Sequence, residues 1–393
     1  MGDSAGRFLT THTGSLPRPD DLTAMMFARE EGEAVDATAL AARIRAAVNE
    51  MVGHQLDAGI DIVNDGEMSK PSYATYVKDR LSGFGGSGGA YVFQDLVDFP
   101  EVAERVAANP GRKARRAPAC NGPVEVADRV SPKIDVDTLN AAPRVARAAG
   151  RFSSAASPGV ISLFFRNDHY ADHRDYLFAI AEAMRFEYET VAAGGLTLQL
   201  DCPDLAMGRH VQYADLSLAQ FRERMALHIA ALNHATRNIP AEQMRMHVCW
   251  GNYPGPHHCD VPFADIIDVL DQAKPAAILF EAANPRHAHE WQMFETTKPP
   301  AGKRLVPGVI ECQSHYIEHP ELVAQRIGRY AHLVGRDSVM AGVDCGFSIH
   351  VGQGGVDPKV VWAKLASLAE GARIASRQFW GPGGPDIEEG ARP

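Results

Sequence analysis

MRMHVCW, residues 244–250, is an apolar run of the right length for one buried β-strand. A helical pattern precedes it at 216–235, and another follows it at 263–272. Beyond these helices lie two more strand patterns, at 196–201 and 276–281. Because strands that alternate with helices form parallel sheets, this region predicts an α/β protein built on a parallel sheet.

The same alternation extends in both directions along the chain. Further strands are predicted at 8–15, 60–64, 160–165, 304–310 and 338–343, and further helices at 37–58, 135–149, 174–193, 320–334 and 358–377. Eight strands result when a short accessory strand at 117–122 is left outside the barrel. We therefore predict one TIM (β/α)8 barrel over residues 8–380, followed by a disordered tail at 381–393.

The segment between residues 81 and 117 departs from this alternation. It begins with a Gly- and Ser-rich stretch at 81–89 and contains a basic run at 112–116. Glycine and serine favour flexible connections, so we interpret the segment as an inserted lid over the barrel. The basic run is interpreted as a solvated face.

Composition and charge limit the classes of function. The chain has 393 residues, of which 45% are hydrophobic and 22% charged, as in a globular protein with a sizeable core. A net charge of −10 disfavours nucleic acid as a partner, because phosphate binding needs a basic surface. Six cysteines without an export signal or a membrane span indicate reduced thiols. We expect a cytoplasmic protein with no membrane partner, and a homo-oligomer remains open.

Candidate metal ligands stand at the ends of predicted strands. His247 and Cys249 are two residues apart, so their side chains would point to the same face of a strand. Glu281 ends the next strand, and Cys345 follows the last one. Zinc takes three or four N, S and O ligands, so these four residues form a complete set. On spacing alone, buried structural roles for the cysteines and the histidine remain the alternative.

Seven segments in a fixed order carry a family resemblance. They are TTHTGSLPRP (10–19), DIVNDGEMSKPSY (61–73), LTLQLDCPDLA (196–206), HVCWGNYPG (247–255), FEAANPRHAHEW (280–291), VPGVIECQSHYIEHPELV (306–323) and AGVDCGFS (341–348). Together they resemble the catalytic C-terminal half of cobalamin-independent methionine synthases and their single-barrel relatives. The resemblance implies a TIM barrel with zinc held by His247, Cys249, Glu281 and Cys345.

The resemblance also implies a substrate site. Ser15, Glu67 and Asp201 match family positions that hold the amino-acid end of homocysteine, and two carboxylates suit its ammonium group. A turn role for Glu67 and a strand-closing role for Asp201 are the structural alternatives. Zinc would lower the pKa of the substrate thiol, and Glu281, the oxygen donor among softer ligands, is expected to yield its position.

The chain departs from the family pattern at two places. Cys202 follows Asp201 where an acid is usual, and ECQSH at 311–315 replaces a D-x-H-S motif that serves proton transfer. His315 could supply the acid–base group instead, or it could be a surface histidine. The dense stretch 257–259, which includes Cys259, is interpreted as the rim of the same cleft.

These observations predict a zinc-dependent S-alkyltransferase that acts on a small thiol, with methyl transfer to homocysteine as the default. An epoxyalkane:coenzyme M transferase-like addition is the second interpretation, although Glu67 and Asp201 disfavour a thiol without an ammonium group. A decarboxylase similar to uroporphyrinogen decarboxylase is the third, and the zinc ligand set argues against it. A non-catalytic metal-storage role is the fourth.

The segment 162–167 bears on the identity of the alkyl donor. Residues 162–167, SLFFRN, contain no Trp that could stack on a pterin ring. We therefore expect triglutamyl methylfolate to bind poorly. A smaller donor, or one carried by a corrinoid or another donor protein, is expected in its place.

Overall fold

The computed structural model describes residues 6–86, 88, 92–108, 118–352 and 355–381. Nine strands are defined in these ranges: β1 (Ile62–Val63), β2 (Phe84–Gly85), β3 (Ala119–Cys120), β4 (Gly150–Ala156), β5 (Thr197–Asp201), β6 (Met244–His247), β7 (Ala277–Phe280), β8 (Arg304–Ile310) and β9 (Gly342–Val343). Seven of them form one parallel sheet in the order β1-β4-β5-β6-β7-β8-β9. The other two, β2 and β3, form an antiparallel pair.

The beginning of the chain closes this sheet into a barrel. Thr10 forms a parallel bridge with Ala341, just before β9. On its other side, the amide of Ile62 in β1 donates to the Thr10 carbonyl at 3.0 Å. The segment around Thr10 therefore lies between the first and last strands of the sheet and acts as the eighth strand. This arrangement is the predicted (β/α)8 barrel.

The described helices cover the outside of the barrel and the insertion. They are α1 (Asp20–Glu30), α2 (Ala37–Asp57), α3 (Gln94–Val97), α4 (Pro100–Ala107), α5 (Ser131–Asn140), α6 (Pro158–Phe164), α7 (His173–Ala193), α8 (Leu218–Ala235), α9 (Ile267–Leu270), α10 (Pro320–Val334) and α11 (Pro358–Trp380). Side-chain caps fix the starts of several long helices, as at Asp36, Asp172 and Ser217. None of the helices in the described ranges is long and apolar enough to cross a membrane.

The third barrel strand was placed wrongly by the sequence pattern. Residues 160–165, predicted as a strand, belong mainly to α6. This helix begins after Ser157, whose Oγ accepts the amide of Val160 at 3.0 Å, and Pro158 suits its first turn. The true third strand is β4, with the sequence GRFSSAA. Its small and polar residues form no apolar run, so the apolar pattern indicated the buried helix instead.

Three other predicted elements differ in extent. The predicted helix at 263–272 is a 3-10 turn, Phe263–Asp265, followed by the single turn of α9. The predicted helix at 135–149 is α5 and a later 3-10 turn, Val145–Arg147. The predicted strand at 338–343 is regular only in β9, with isolated bridges before it. Residues 382–393 of the predicted tail lie outside the described residues.

The inserted segment packs on the loop that follows β6. Its strand β2 pairs with β3, which follows the segment and is the predicted accessory strand. The buried carboxylate of Asp95 in α3 accepts the Tyr253 hydroxyl and the His257 amide, the latter at 2.9 Å. The insertion therefore contacts the C-terminal mouth of the barrel. The basic run at 112–116 lies outside the described residues, and a lid movement stays a prediction.

Candidate active site

Three predicted metal ligands meet at the C-terminal mouth of the barrel. His247 ends β6, Cys249 lies two residues further on, and Cys345 lies two residues after β9. Their ligand atoms all lie within 4.8 Å of one another, and the two Sγ atoms are 3.5 Å apart. All three side chains are buried. They form an N, S, S donor set, which is three of the four ligands that zinc takes.

The imidazole of His247 is oriented by a neighbouring carboxylate. Asp201 is its register partner on β5, and Oδ1 of Asp201 lies 3.4 Å from Nδ1 of His247. Nε2 of His247 is buried and has no hydrogen-bond partner among the described residues. A buried polar atom without a partner is costly, and a metal ion at the cluster would satisfy it. A carboxylate behind a histidine is also the usual support for a metal ligand, so the residues present fit zinc.

The thiols of the cluster are held in their protonated form. A hydrogen bond with Cys345 lowers the pKa of Cys249, but burial and the charge of Glu281 outweigh it and raise that pKa to about 12. Interactions with the thiols of Cys249 and Cys312, together with burial, raise the pKa of Cys345 well above its usual range. A bound divalent cation would lower the pKa of both thiols, because a thiol that coordinates a metal is deprotonated.

Glu281 lies beside this cluster but has other partners. Its Oε1 accepts the amide of Trp250 at 2.9 Å, and its Oε2 accepts Nδ2 of Asn284 at 2.7 Å. It does not belong to the group whose ligand atoms lie within 4.8 Å of one another. To bind the same metal, the carboxylate would have to leave one of these partners. Its role as fourth ligand stays a prediction.

The predicted substrate residues line the same cavity as the three ligands. Ser15, Glu67 and Asp201 come from three different strand ends, and the cavity is bounded by them together with His247, Cys249 and Cys345. All three are buried. The structure therefore brings the three predicted substrate residues together with three of the four predicted metal ligands.

The carboxylate of Glu67 is placed to accept a hydrogen bond from a positively charged ligand. Its Oε1 accepts the hydroxyl of Ser154 at 2.7 Å, whereas its buried Oε2 has no partner among the described residues. Burial, and then the charge of Asp201, raise the pKa of Glu67 to about 7. Its backbone φ of 62° is unusual for a residue other than glycine, as is often found at functional sites. An ammonium group beside Oε2 would supply both the missing hydrogen bond and the missing charge.

Two glycines allow the strand ends to approach this closely. A Cβ atom at Gly346, next to Cys345, would lie 2.0 Å from Oγ of Ser15. Gly14 has a φ of +132°, and a Cβ atom there would lie 2.8 Å from Oε1 of Glu67. Both positions exclude larger residues because the cavity walls touch the backbone there.

Other cysteine and histidine candidates are not brought to this cavity. His315 is exposed, and its Nε2 accepts the amide of Asp357 at 3.1 Å at the start of α11. The placement does not support the predicted acid–base role. Cys202 is buried in the core, and Cys259 lines a different surface pocket.

Cys312 is a neighbour of the cluster that the sequence analysis did not select. It is buried, hydrogen-bonds with the thiol of Cys345, and has its Sγ 3.6 Å from Oδ1 of Asn252. It lies two residues after β8, as Cys249 does after β6. This position after a strand, which matches that of Cys249, was the sequence feature that could have identified Cys312 as a site residue.

Comparisons with known proteins agree with this arrangement. The family description "Cobalamin-independent synthase, Catalytic domain" matches residues 8–94. The methionine synthase of Saccharolobus solfataricus is 24% identical over 371 residues, covering 94% of this chain and 95% of the relative. That of Thermococcus kodakarensis is 22% identical over 371 residues, covering 94% of both proteins. These relatives are therefore of similar length to this chain.

Two solved structures share the fold. A B12-independent methionine synthase from Shewanella sp. W3-18-1, in complex with selenomethionine, aligns with a TM-score of 0.72 and 20% identity, covering 95% of this chain and 99% of that one. A putative vitamin-B12 independent methionine synthase from Listeria monocytogenes aligns with a TM-score of 0.62 and 15% identity, covering 95% and 98%. The matched family description and the relatives that align over nearly the whole chain make this chain similar to cobalamin-independent methionine synthases, and the two structures show that it shares their fold.

Proposed function

We propose that the protein is a zinc-dependent methyltransferase that methylates the thiol of homocysteine to give methionine. One observation carries the proposal. In the part of the chain that the structure describes, Nε2 of His247 and Oε2 of Glu67 have no hydrogen-bond partner, and both residues line the same cavity as Cys249 and Cys345. The methionine synthase names of relatives that align over nearly the whole chain support it.

The amino-acid end of the substrate would bind at the Glu67 side of the cavity. Glu67 offers Oε2 to the ammonium group, and Asp201 adds a second negative charge nearby. Ser15 lines the same wall and can hydrogen-bond the polar end of the ligand. A thiol that carries a sulfonate and no ammonium group would meet the two carboxylates without a compensating charge. This disfavours the coenzyme M transferase interpretation.

The thiol end would point at the metal cluster. His247, Cys249 and Cys345 would hold zinc, with Glu281 as the exchangeable fourth ligand. When bound, zinc supplies an acidified thiol that is nucleophilic at neutral pH. Asp201, 3.4 Å from Nδ1 of His247, would support this histidine as a ligand, and the buried cavity would exclude water from the reacting sulfur.

The aromatic residues of the 162–167 segment bear on the donor. Phe165 is fully buried and lies against Phe84, with ring centroids 4.5 Å apart, so it offers no open face to a pterin ring. Phe164 lines a neighbouring cavity and is the remaining aromatic candidate of the 162–167 segment. We retain the expectation that triglutamyl methylfolate is a poor donor. The family is cobalamin-independent, so a corrinoid donor gains no support from the comparisons.

A turnover assay tests the proposal. Zinc-loaded protein is incubated with homocysteine and each donor in turn, and methionine is measured by mass spectrometry, with Cys249→Ala as the inactive control. We expect methionine from wild-type protein with at least one methyl donor and none from the variant. Failure of wild-type protein to bind homocysteine or methionine would contradict the proposal.

A further inference from the structure

A second cavity adjoins the candidate metal cluster from the other side. Cys345 and Asn252 line both cavities, whereas Ser15, Glu67 and Asp201 line only the first. Glu281 lines only the second, which has a volume of about 220 Å³. A thiol held at the cluster from the first cavity would therefore lie next to the second. A direct methyl transfer requires this arrangement, in which the acceptor thiol lies next to the donor.

The outer end of this second cavity is basic. Arg286 lines it, is exposed, and donates to the carbonyl of His258 at 3.3 Å. Among the described residues, its guanidinium has no carboxylate partner. His257 also lines the cavity, but its two ring nitrogens are already bound to Asp260 and the carbonyl of Tyr253. Arg286 is therefore the group available to an anionic end of a ligand.

The inner end of the same cavity is acidic. The buried carboxylates of Glu281 and Asp344 lie there beside Cys345. Asp344 accepts the amides of Ala282, Ala283 and Asn284, and no lysine or arginine pairs with it or with Glu281 among the described residues. A cationic centre would be stabilised at this end. The cavity thus has two buried carboxyl groups beside the cluster and the positive charge of Arg286 at its rim.

We propose that the second cavity is the donor subsite, and that it takes a small methyl onium compound with a carboxylate end group. The sulfonium or quaternary ammonium centre lies at Glu281 and Asp344, and the carboxylate lies at Arg286. The volume is below the range of about 300–1,000 Å³ of pockets for drug-sized ligands, so a compact donor fits better than an extended folate. This inference rests on the proposed homocysteine methylation and names its donor class.

The reaction balances without a further reagent. The substrate thiol loses its proton to solvent, and its sulfur forms the new bond to the methyl carbon. The methyl–onium bond breaks, and its electron pair stays on the donor heteroatom. A sulfonium donor leaves as a neutral thioether and an ammonium donor as a neutral tertiary amine, so no oxidant or reductant is needed.

Calorimetric titration of the zinc-loaded protein tests the subsite. The probes are dimethylsulfoniopropionate, trimethylglycine, and trimethylsulfonium, which lacks the carboxylate. We expect at least one carboxylated onium to bind, and Arg286→Gln to weaken it about tenfold. Arg224→Gln, which removes an exposed arginine on α8, should leave binding unchanged. Trimethylsulfonium should bind more weakly and not respond to Arg286→Gln.

Methionine titration of the same proteins separates the two proposals. Methionine should bind wild-type and Arg286→Gln protein equally and Glu67→Gln protein more weakly. If methionine binding does not follow this pattern, the proposed function is wrong whatever the onium probes show. If methionine binding follows it, the donor subsite is tested separately. The subsite is wrong if neither carboxylated onium compound binds, or if Arg286→Gln leaves their affinity unchanged. With a deuterated methyl group on each donor, labelled methionine identifies whether the sulfonium or the ammonium compound is used.

Discussion

Asp201 and His247 lie side by side on β5 and β6, with Oδ1 of the aspartate 3.4 Å from Nδ1 of the histidine. Nε2 of the same histidine is buried and has no hydrogen-bond partner among the described residues. Asp201 also lines the cavity beside Glu67. One carboxylate therefore links the metal ligands to the predicted amino-acid site.

Asp201→Asn tests this link. The amide keeps the shape of the side chain but loses the charge that orients the imidazole, so zinc affinity should fall about 10- to 100-fold. Chelator competition measures the affinity. Asp268→Asn, which breaks a surface ion pair with Arg222, is the control and should keep wild-type affinity. Equal zinc affinity in the Asp201 and Asp268 variants would show that Asp201 does not support the ligand.

The cysteine ligands can be tested against a cysteine of similar burial. Cys249→Ala and Cys345→Ala should each lose bound zinc, because each removes one of the three clustered donors. Cys202→Ala should keep one zinc per chain, because the thiol of Cys202 does not belong to the group formed by His247, Cys249 and Cys345. Glu281→Gln should retain more zinc than either ligand variant. Metal analysis of purified protein measures all four, and stoichiometric zinc in both ligand variants would refute the assignment.

The raised pKa of Glu67 predicts a pH-dependent affinity for amino-acid ligands. With a pKa of about 7, this carboxyl is neutral in the free protein at lower pH and ionised at higher pH. An ammonium group prefers the ionised form, so methionine binding should strengthen as pH rises through about 7. Below that value it should weaken by up to about tenfold per pH unit. Methionine is the suitable probe because it has no thiol proton to lose.

Proton release provides the measurement for Glu67. Calorimetry of methionine binding below pH 7, in buffers with different ionisation enthalpies, should show a proton released on binding to wild-type protein. Glu67→Gln should release less and should lose the pH dependence. Proton release that is identical in the two proteins would assign the titration to another group.

Ser157 tests the fold at the position where the sequence pattern was misinterpreted. It caps α6, and its hydroxyl also donates to Oδ1 of the buried Asp204 at 2.8 Å. Ser157→Ala should lower the free energy of unfolding by about 1–3 kcal/mol, from the lost cap and the unpaired carboxylate oxygen. Ser217→Ala, at the exposed cap of α8, should cost less because it has no buried acid partner. Urea denaturation that gives equal losses would contradict this account.

The local hydrophobic pattern of the sequence was sufficient to predict most of the barrel strands, but not β4. Strands such as β5 and β6 are short apolar runs between clear helices, so their type and order could be predicted. In β4, the hydroxyl of Ser154 donates to Oε1 of Glu67 at 2.7 Å. Tertiary hydrogen bonds thus replace the apolar signal that a single sequence can show.

The site was predictable where strand ends and motifs coincided. His247, Cys249 and Cys345 follow from their positions after strands, and Ser15, Glu67 and Asp201 follow from the family segments. The contacts of His315 and Cys312 depend on loop paths across the barrel mouth, which local sequence does not determine. The hydrogen bond from the amide of Trp250 to Glu281 also joins two segments that are distant in the sequence.

X-ray absorption at the zinc edge, recorded before and after addition of homocysteine, tests whether the substrate thiol binds to zinc. We expect one zinc with two sulfur neighbours at about 2.3 Å in the free protein and three after homocysteine is added. Cys249→Ala protein should not reproduce the change, and methionine should not cause it. A zinc site that keeps the same number of sulfur neighbours when homocysteine is bound would contradict the account.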